Sequence, residues 1–189
     1  LDVIREFENL VDSNEKEKVL QKHLFTHLWL LDPGWERAAG SERIEQRLKS
    51  DFKEFKPSLG EKESKGRVDI RYRTNAGEHI IVELKRAGRA LSAPELIEQG
   101  QKYQSALRKC LEKAGFSNPH ISIVFVVGKP IVGAEEPGGL ELTRGLLKAI
   151  NARAVHYEEL IGAARASYHE FLKGTEKADR LDKLLRKLK

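Results

Sequence analysis

GRVDIRYRTNAGEHIIVELK, residues 66–85, is the stretch from which the fold is read. Val68, Ile70 and Tyr72 alternate with Arg67, Asp69, Arg71 and Arg73, and Asn75, Ala76 and Gly77 supply a turn before a second run at 79–84. The pattern predicts two short strands joined as a hairpin. Side chains two apart on a strand share a face. Glu83 and Lys85 therefore point together, while Leu84 points into the core and its backbone carbonyl points sideways. Antiparallel pairing can bring Asp69 near Glu83. Hard cations such as magnesium take oxygen ligands from one or two carboxylates and fill the remaining positions with water. A cation held there polarises a phosphate and lowers the pKa of a bound water. Lys85 is placed to orient that water or to stabilise charge on the phosphate. These parts suit phosphodiester hydrolysis.

The flanking sequence predicts the rest of the domain. Val3, Ile4, Phe7, Leu10 and Val11 make residues 1–12 an amphipathic helix. Ser13 reads as the N-cap of a second helix that runs to about Leu31, with Glu15 and Glu17 in its first turn. Leu20, Leu24, Leu28 and Leu31 share its buried face; Glu17 lies on that face and Glu15 off it. Residues 41–56, with Ile44, Leu48, Phe52 and Phe55 apolar, predict a surface helix, and 57–65 a loop. After the hairpin, Ser92 reads as the cap of a long helix from about Pro94 to Ala114, closed by Gly115. ISIVFVV at 121–127 predicts a strand covered on both faces. A loop at 128–139, a helix at 140–152, a short strand at 154–157 and a helix at 158–172 follow, with a further helix after Gly174. The expected fold is α/β, a central mixed β-sheet flanked by helices in one domain over 1–174, with a basic helical tail at 175–189.

Bulk properties narrow the function classes. A chain of 189 residues is long enough for one well-buried core. It holds no run of about 18 apolar residues, so no membrane partner is expected. No secretory leader is visible, and the single cysteine, Cys110, falls in a helical pattern. Both point to a reducing, cytoplasmic compartment. The chain starts at Leu1 and has no methionine. The expectation is a domain excised from a longer protein, with other domains as partners in cis. Net charge is +5, and residues 173–189 carry seven basic side chains against three acidic ones. Such a balance permits nucleic-acid binding, while a solvated helix end accounts for the tail equally well. His23 and His27 stand four apart, but the glutamate of an HExxH pair and a third soft ligand are missing, which argues against zinc. No phosphate-binding P-loop sequence is present.

Val68-Asp69 followed by Glu83-Leu84-Lys85 resembles the PD-(D/E)xK signature of the restriction-endonuclease-like nucleases, with Val68 in place of the family's proline. Gln99 and Tyr103, four apart on the following helix, resemble the QxxxY motif of RecB-type and lambda-exonuclease-like members. The overall layout over residues 15–172, ending in a helix–strand–helix module around Tyr157, is similar to the Shedu-type (DUF4263) branch of bacterial phage-defence proteins. The resemblance implies a restriction-endonuclease-like core and a deoxyribonuclease dependent on Mg²⁺ or Mn²⁺, acting in anti-phage defence. It implies that Asp69 and Glu83 hold the metal, that Leu84 lends a carbonyl and that Lys85 assists the attacking water. Gln99 and Tyr103 would line the site, and Glu17 would supply the acid that members of this fold often place on the preceding helix, Glu15 being the alternative. Arg67, Arg71, Arg73, Arg86 and Arg89 would grip the DNA backbone.

Each assignment has a structural counterpart. Tyr103 can be a core residue with Gln99 solvated, Glu17 a first-turn acid favoured by the helix dipole, and the arginines the solvated face of an edge strand. For the chain as a whole, one rival is a catalytically inactive DNA-binding module of the same fold. Another is a homo-oligomerisation domain in which Leu181, Leu184, Leu185 and Leu188 pair between chains.

Overall fold

The computed structural model describes residues 1–31, 70–73 and 77–187, with side-chain surroundings for 1–31 and 77–174. In chain order the elements are α1 (Asp2–Asp12), α2 (Glu17–Thr26), a 3₁₀ turn (Leu28–Leu30), β1 (Ile70–Arg73), β2 (His79–Leu84), α3 (Ala93–Lys113), β3 (Ile121–Val127), α4 (Gly139–Ala149), β4 (Ala152–His156) and α5 (Tyr157–Lys187). The four strands form one mixed sheet in the order β1-β2-β3-β4. β1 runs antiparallel to β2, with Ile70 opposite Val82, while β2, β3 and β4 are parallel to one another. The crossovers between the parallel strands are α3 and α4, as parallel pairing requires.

Strand composition explains the layering. All six residues of β2 and six of the seven in β3 are buried, so these strands bury both faces. On one face Ile80, Val82 and Leu84 of β2, with Val124, Val126 and Val155, pack against Ile4, Phe7, Leu20, Leu24, Tyr157 and Leu160. That face is covered by α1, α2 and α5. On the other, Ile81, Ile123, Phe125 and Val127 pack against Leu96, Tyr103, Leu107, Leu111 and Leu147. That face is covered by α3 and α4. The result is helices, sheet and helices, the arrangement that lets a mostly parallel sheet bury its β-branched residues. The α/β class and the mixed sheet flanked by helices are thus as the sequence predicts, and β2 and β3 fall at the expected residues.

Several boundaries differ from the sequence expectation. Ser13 closes α1 instead of opening α2: its Oγ donates to the Asn9 carbonyl at 2.7 Å and the Leu10 carbonyl at 3.3 Å. Asn14 then takes a left-handed φ of 51°, and α2 begins only at Glu17 behind Lys16. The second helix does not run to Leu31; it ends at Thr26 and tightens into the 3₁₀ turn. α4 is shorter than predicted, because Asn151 at φ 51° turns the chain into β4 two residues before the expected strand. Gly174 does not separate two helices. α5 runs unbroken through it, so the basic tail is the continuation of the preceding helix up to Lys187. The predicted 41–56 helix, the 57–65 loop, Arg67 and Asp69 lie outside the described residues.

Candidate active site

The site is built at the C-terminal end of β2. Glu83 shares its face with Ile81 and turns toward α3, whereas Leu84 is fully buried on the opposite face, as expected. Lys85 follows the strand, and its backbone N–H donates to the Val126 carbonyl at 2.9 Å, extending the β2–β3 ladder by one residue. Glu83 and Lys85 are 4% and 5% exposed, values rare for charged side chains unless they are paired. They are paired: Lys85 Nζ lies 2.8 Å from Glu83 Oε1.

α3 completes the network. Gln99 and Tyr103 sit one turn apart on its sheet-facing side. Gln99 Nε2 donates to Glu83 Oε1 at 2.7 Å and to the Tyr103 hydroxyl at 2.8 Å, and that hydroxyl approaches Glu83 Oε1 at 3.3 Å. Lysine, glutamine and tyrosine thus converge on one carboxylate oxygen. This offsets the desolvation of the buried charge and fixes its rotamer. The alternative in which Gln99 is merely solvated does not hold, since its amide is bonded to both partners.

Two local features hold α3 in place. Glu95 reaches back to the Ser92 backbone N–H and hydroxyl, both at 2.8 Å, closing the helix start. Those two bonds hold the Glu95 carboxyl below the usual carboxylate range. At Gly100 a Cβ would come within 2.8 Å of Ile150 Cδ1 and 3.3 Å of Ile123 Cδ1. Glycine there allows the helix to lie close against the sheet, within reach of Glu83.

Glu17 approaches the same strand end from the other layer. It is half-buried, and its Oε1 accepts the Arg86 backbone N–H at 3.2 Å. Among the described residues Glu15 bonds to the Lys16 N–H, whereas Glu17 reaches the backbone that follows β2. Of the arginines expected to grip DNA, Arg86 donates its guanidinium to the Asn14 carbonyl at 2.9 Å, and Arg89 is exposed. The backbones of Arg71 and Arg73 lie in β1 opposite Ile81 and His79. Asp69 and Arg67 are outside the described residues. In sequence Asp69 precedes Ile70, whose partner Val82 precedes Glu83.

Among the described residues no three His, Cys, Asp or Glu side chains gather as a metal group. What the described strand end offers is the Glu83 carboxylate, the Leu84 carbonyl and the Glu17 carboxylate. These are hard oxygen donors of the kind magnesium and manganese take. His23 belongs to the core. Its Nε2 lies 3.1 Å from the Val3 carbonyl and its ring stacks on Phe7 with centroids 5.6 Å apart. Burial is the main cause holding its pKa below the usual histidine value, partly offset by Val3 and Glu6.

Two residues at this end are given no part in the site by the sequence. The Tyr157 hydroxyl donates to the Lys85 carbonyl at 2.8 Å, and Asn14 Oδ1 accepts the Gly88 N–H at 3.0 Å. The only signals were an apolar tyrosine at a strand–helix junction and an asparagine, a residue that tolerates left-handed φ, between two helices. Neither a protein-family model, nor a curated protein, nor a solved structure matches this chain.

Proposed function

We propose that this chain is a metal-dependent nuclease domain that hydrolyses DNA phosphodiester bonds on a restriction-endonuclease-like core. The observation that supports it best is the buried Glu83–Lys85 pair at the end of a central strand, bonded by Gln99 and Tyr103 from one helix. Burying a charged pair offers little stability over an apolar pair of the same volume. The carboxyl end of a strand in an α/β sheet is where function is usually built, and a buried charged pair there fits that place.

Glu83, the Leu84 carbonyl, Glu17 and Asp69 are the groups assigned to hold Mg²⁺ or Mn²⁺. The ion would polarise the scissile phosphate and acidify a water. The chain's own residues do the rest. Gln99 and Tyr103 hold the Glu83 carboxylate in one orientation. The Lys85 ammonium, fixed 2.8 Å from that carboxylate, presents positive charge where a phosphate oxygen gains negative charge. The exposed Arg89 offers a charge for the DNA backbone.

The closure of the Glu83–Lys85 pair favours one alternative, a DNA-binding module in which the pair is purely structural. A cleavage assay separates the two. Circular and linear, single- and double-stranded DNA are incubated with Mg²⁺ or Mn²⁺ and with chelator. The nuclease reading expects metal-dependent cutting that Asp69→Ala abolishes. Salt-sensitive DNA binding without cutting of any form in either metal would replace it with the binding module.

A further inference from the structure

Four backbone polar groups of residues 85–88, which leave β2, are tied to other elements, three of them from the layer opposite Glu83. The Lys85 N–H is bonded to the Val126 carbonyl and the Lys85 carbonyl to the Tyr157 hydroxyl. The Arg86 N–H is bonded to Glu17 and the Gly88 N–H to Asn14 Oδ1. The backbone also packs without slack. A Cβ at Gly128, just past β3, would sit 2.2 Å from the Ala87 carbonyl oxygen. The start of this segment is thus tied to both the sheet and the opposite layer, and its first residue is the lysine of the site.

Tyr157 is the centre of this brace. It is 1% exposed, stands at the junction of β4 and α5, and its ring packs edge-on to Phe7 with centroids 5.9 Å apart. Its hydroxyl is the donor that fixes the carbonyl of Lys85 itself. We infer that Tyr157, assisted by Asn14, is a positioning residue that sets the Lys85 ammonium against Glu83 from across the sheet. The role rests on the nuclease reading, because it is Lys85's chemistry that the positioning serves. A 1 Å error in placing a catalytic group can cost roughly a hundredfold in rate, so loss of one such donor has a measurable effect.

The test uses the full chain and two readouts. The first is the side-chain ammonium cross-peak of Lys85 in lysine-¹⁵N-labelled protein. A buried ion pair shields that group from exchange with water. The second is kcat and KM for metal-dependent DNA cleavage. Tyr157→Phe removes only the hydroxyl. Asn14→Gly, which keeps the left-handed backbone without strain and removes Oδ1, acts from the surface and covers the case in which Tyr157→Phe does not fold. Ile161→Val, a mild loss of packing on the same helix, is the control for stability alone. The expected result is that Tyr157→Phe, and to a lesser degree Asn14→Gly, shifts or broadens the Lys85 signal and lowers kcat by roughly tenfold or more with KM little changed. Ile161→Val lowers the melting temperature and moves neither. If both brace variants keep the wild-type Lys85 signal, the positioning role is overturned and the bonds are only structural. If wild-type protein cuts no DNA, the nuclease reading falls, and the Lys85 signal alone still decides whether Tyr157 positions the lysine.

Discussion

Lys85 Nζ and Glu83 Oε1 lie 2.8 Å apart at the end of β2, with both side chains almost wholly buried. Removing one member of a buried pair leaves the other charge uncompensated and costs about 3–5 kcal/mol, whereas replacing both is close to neutral. Lys85→Met and Glu83→Gln are each expected to lower unfolding free energy by about that amount in urea titrations. The double variant is expected to recover most of the loss. Single variants as stable as wild type would show that the pair is not closed in solution.

Tyr103→Phe removes one of the donors to Glu83 Oε1 and leaves Lys85 and Gln99 in place. A hydrogen bond to a charged group is worth about 1.5–3 kcal/mol. At 3.3 Å this one belongs at or below the lower end. Gln99→Ala removes a 2.7 Å bond to Glu83 and the tie to Tyr103 together. Chemical denaturation should therefore rank Gln99→Ala as the more damaging change, and a double-mutant cycle should show coupling between the two positions.

Glycine positions offer a contrast that needs no assumption about activity. At Gly128 a Cβ would meet Ala87 backbone atoms at 2.2–2.6 Å, and backbone cannot move aside as a side-chain tip can. Gly128→Ala is expected to cost about 3 kcal/mol or more. At Gly145, within α4, no atom of the described residues lies within 4 Å of the added Cβ, so Gly145→Ala should stabilise by about 0.5–1 kcal/mol through helix propensity. Thermal melts of the two variants should shift in opposite directions.

His23 sets a pH dependence of known sign. Burial favours its neutral form, so its pKa in the folded chain lies below the ordinary histidine value. Between those two values the unfolded chain binds the proton and the folded chain does not. The contribution to stability is complete above about pH 6.5 and is lost as pH falls toward the depressed folded value. Urea titrations at several pH values from 8 down to 5 should show wild type losing more stability on acidification than His23→Gln. Equal slopes would mean that His23 is protonated without penalty in the fold.

The order in which these features became legible follows from how far apart their parts lie in the chain. β2 and β3 were readable because continuous apolar β-formers have few other stable placements. The Glu83–Lys85 and Gln99–Tyr103 relationships were readable because side chains two apart on a strand and four apart on a helix share a face. The start of α2 differs from the sequence expectation because serine serves either end of a helix. Here its hydroxyl closes α1 and Asn14 absorbs the turn. The α4–β4 boundary was misplaced because Asn151, with its positive φ, interrupts a stretch whose composition is helical. Tyr157 and Asn14 meet their partners across 72 and 74 residues of sequence, and no local periodicity encodes such contacts.

If the Glu83–Lys85 pair does chemistry on DNA, the Glu83→Gln, Lys85→Met double variant is the decisive protein to assay, because it separates stability from function. Supercoiled plasmid and linear duplex are incubated with Mn²⁺ and with Mg²⁺, and wild type is compared with a double variant whose folding has been verified by urea titration. Wild type is expected to cut DNA only when metal is present, and the folded double variant is expected not to cut. Cutting by the double variant at the wild-type rate, or a wild-type protein that leaves every DNA form intact in both metals, would contradict that expectation.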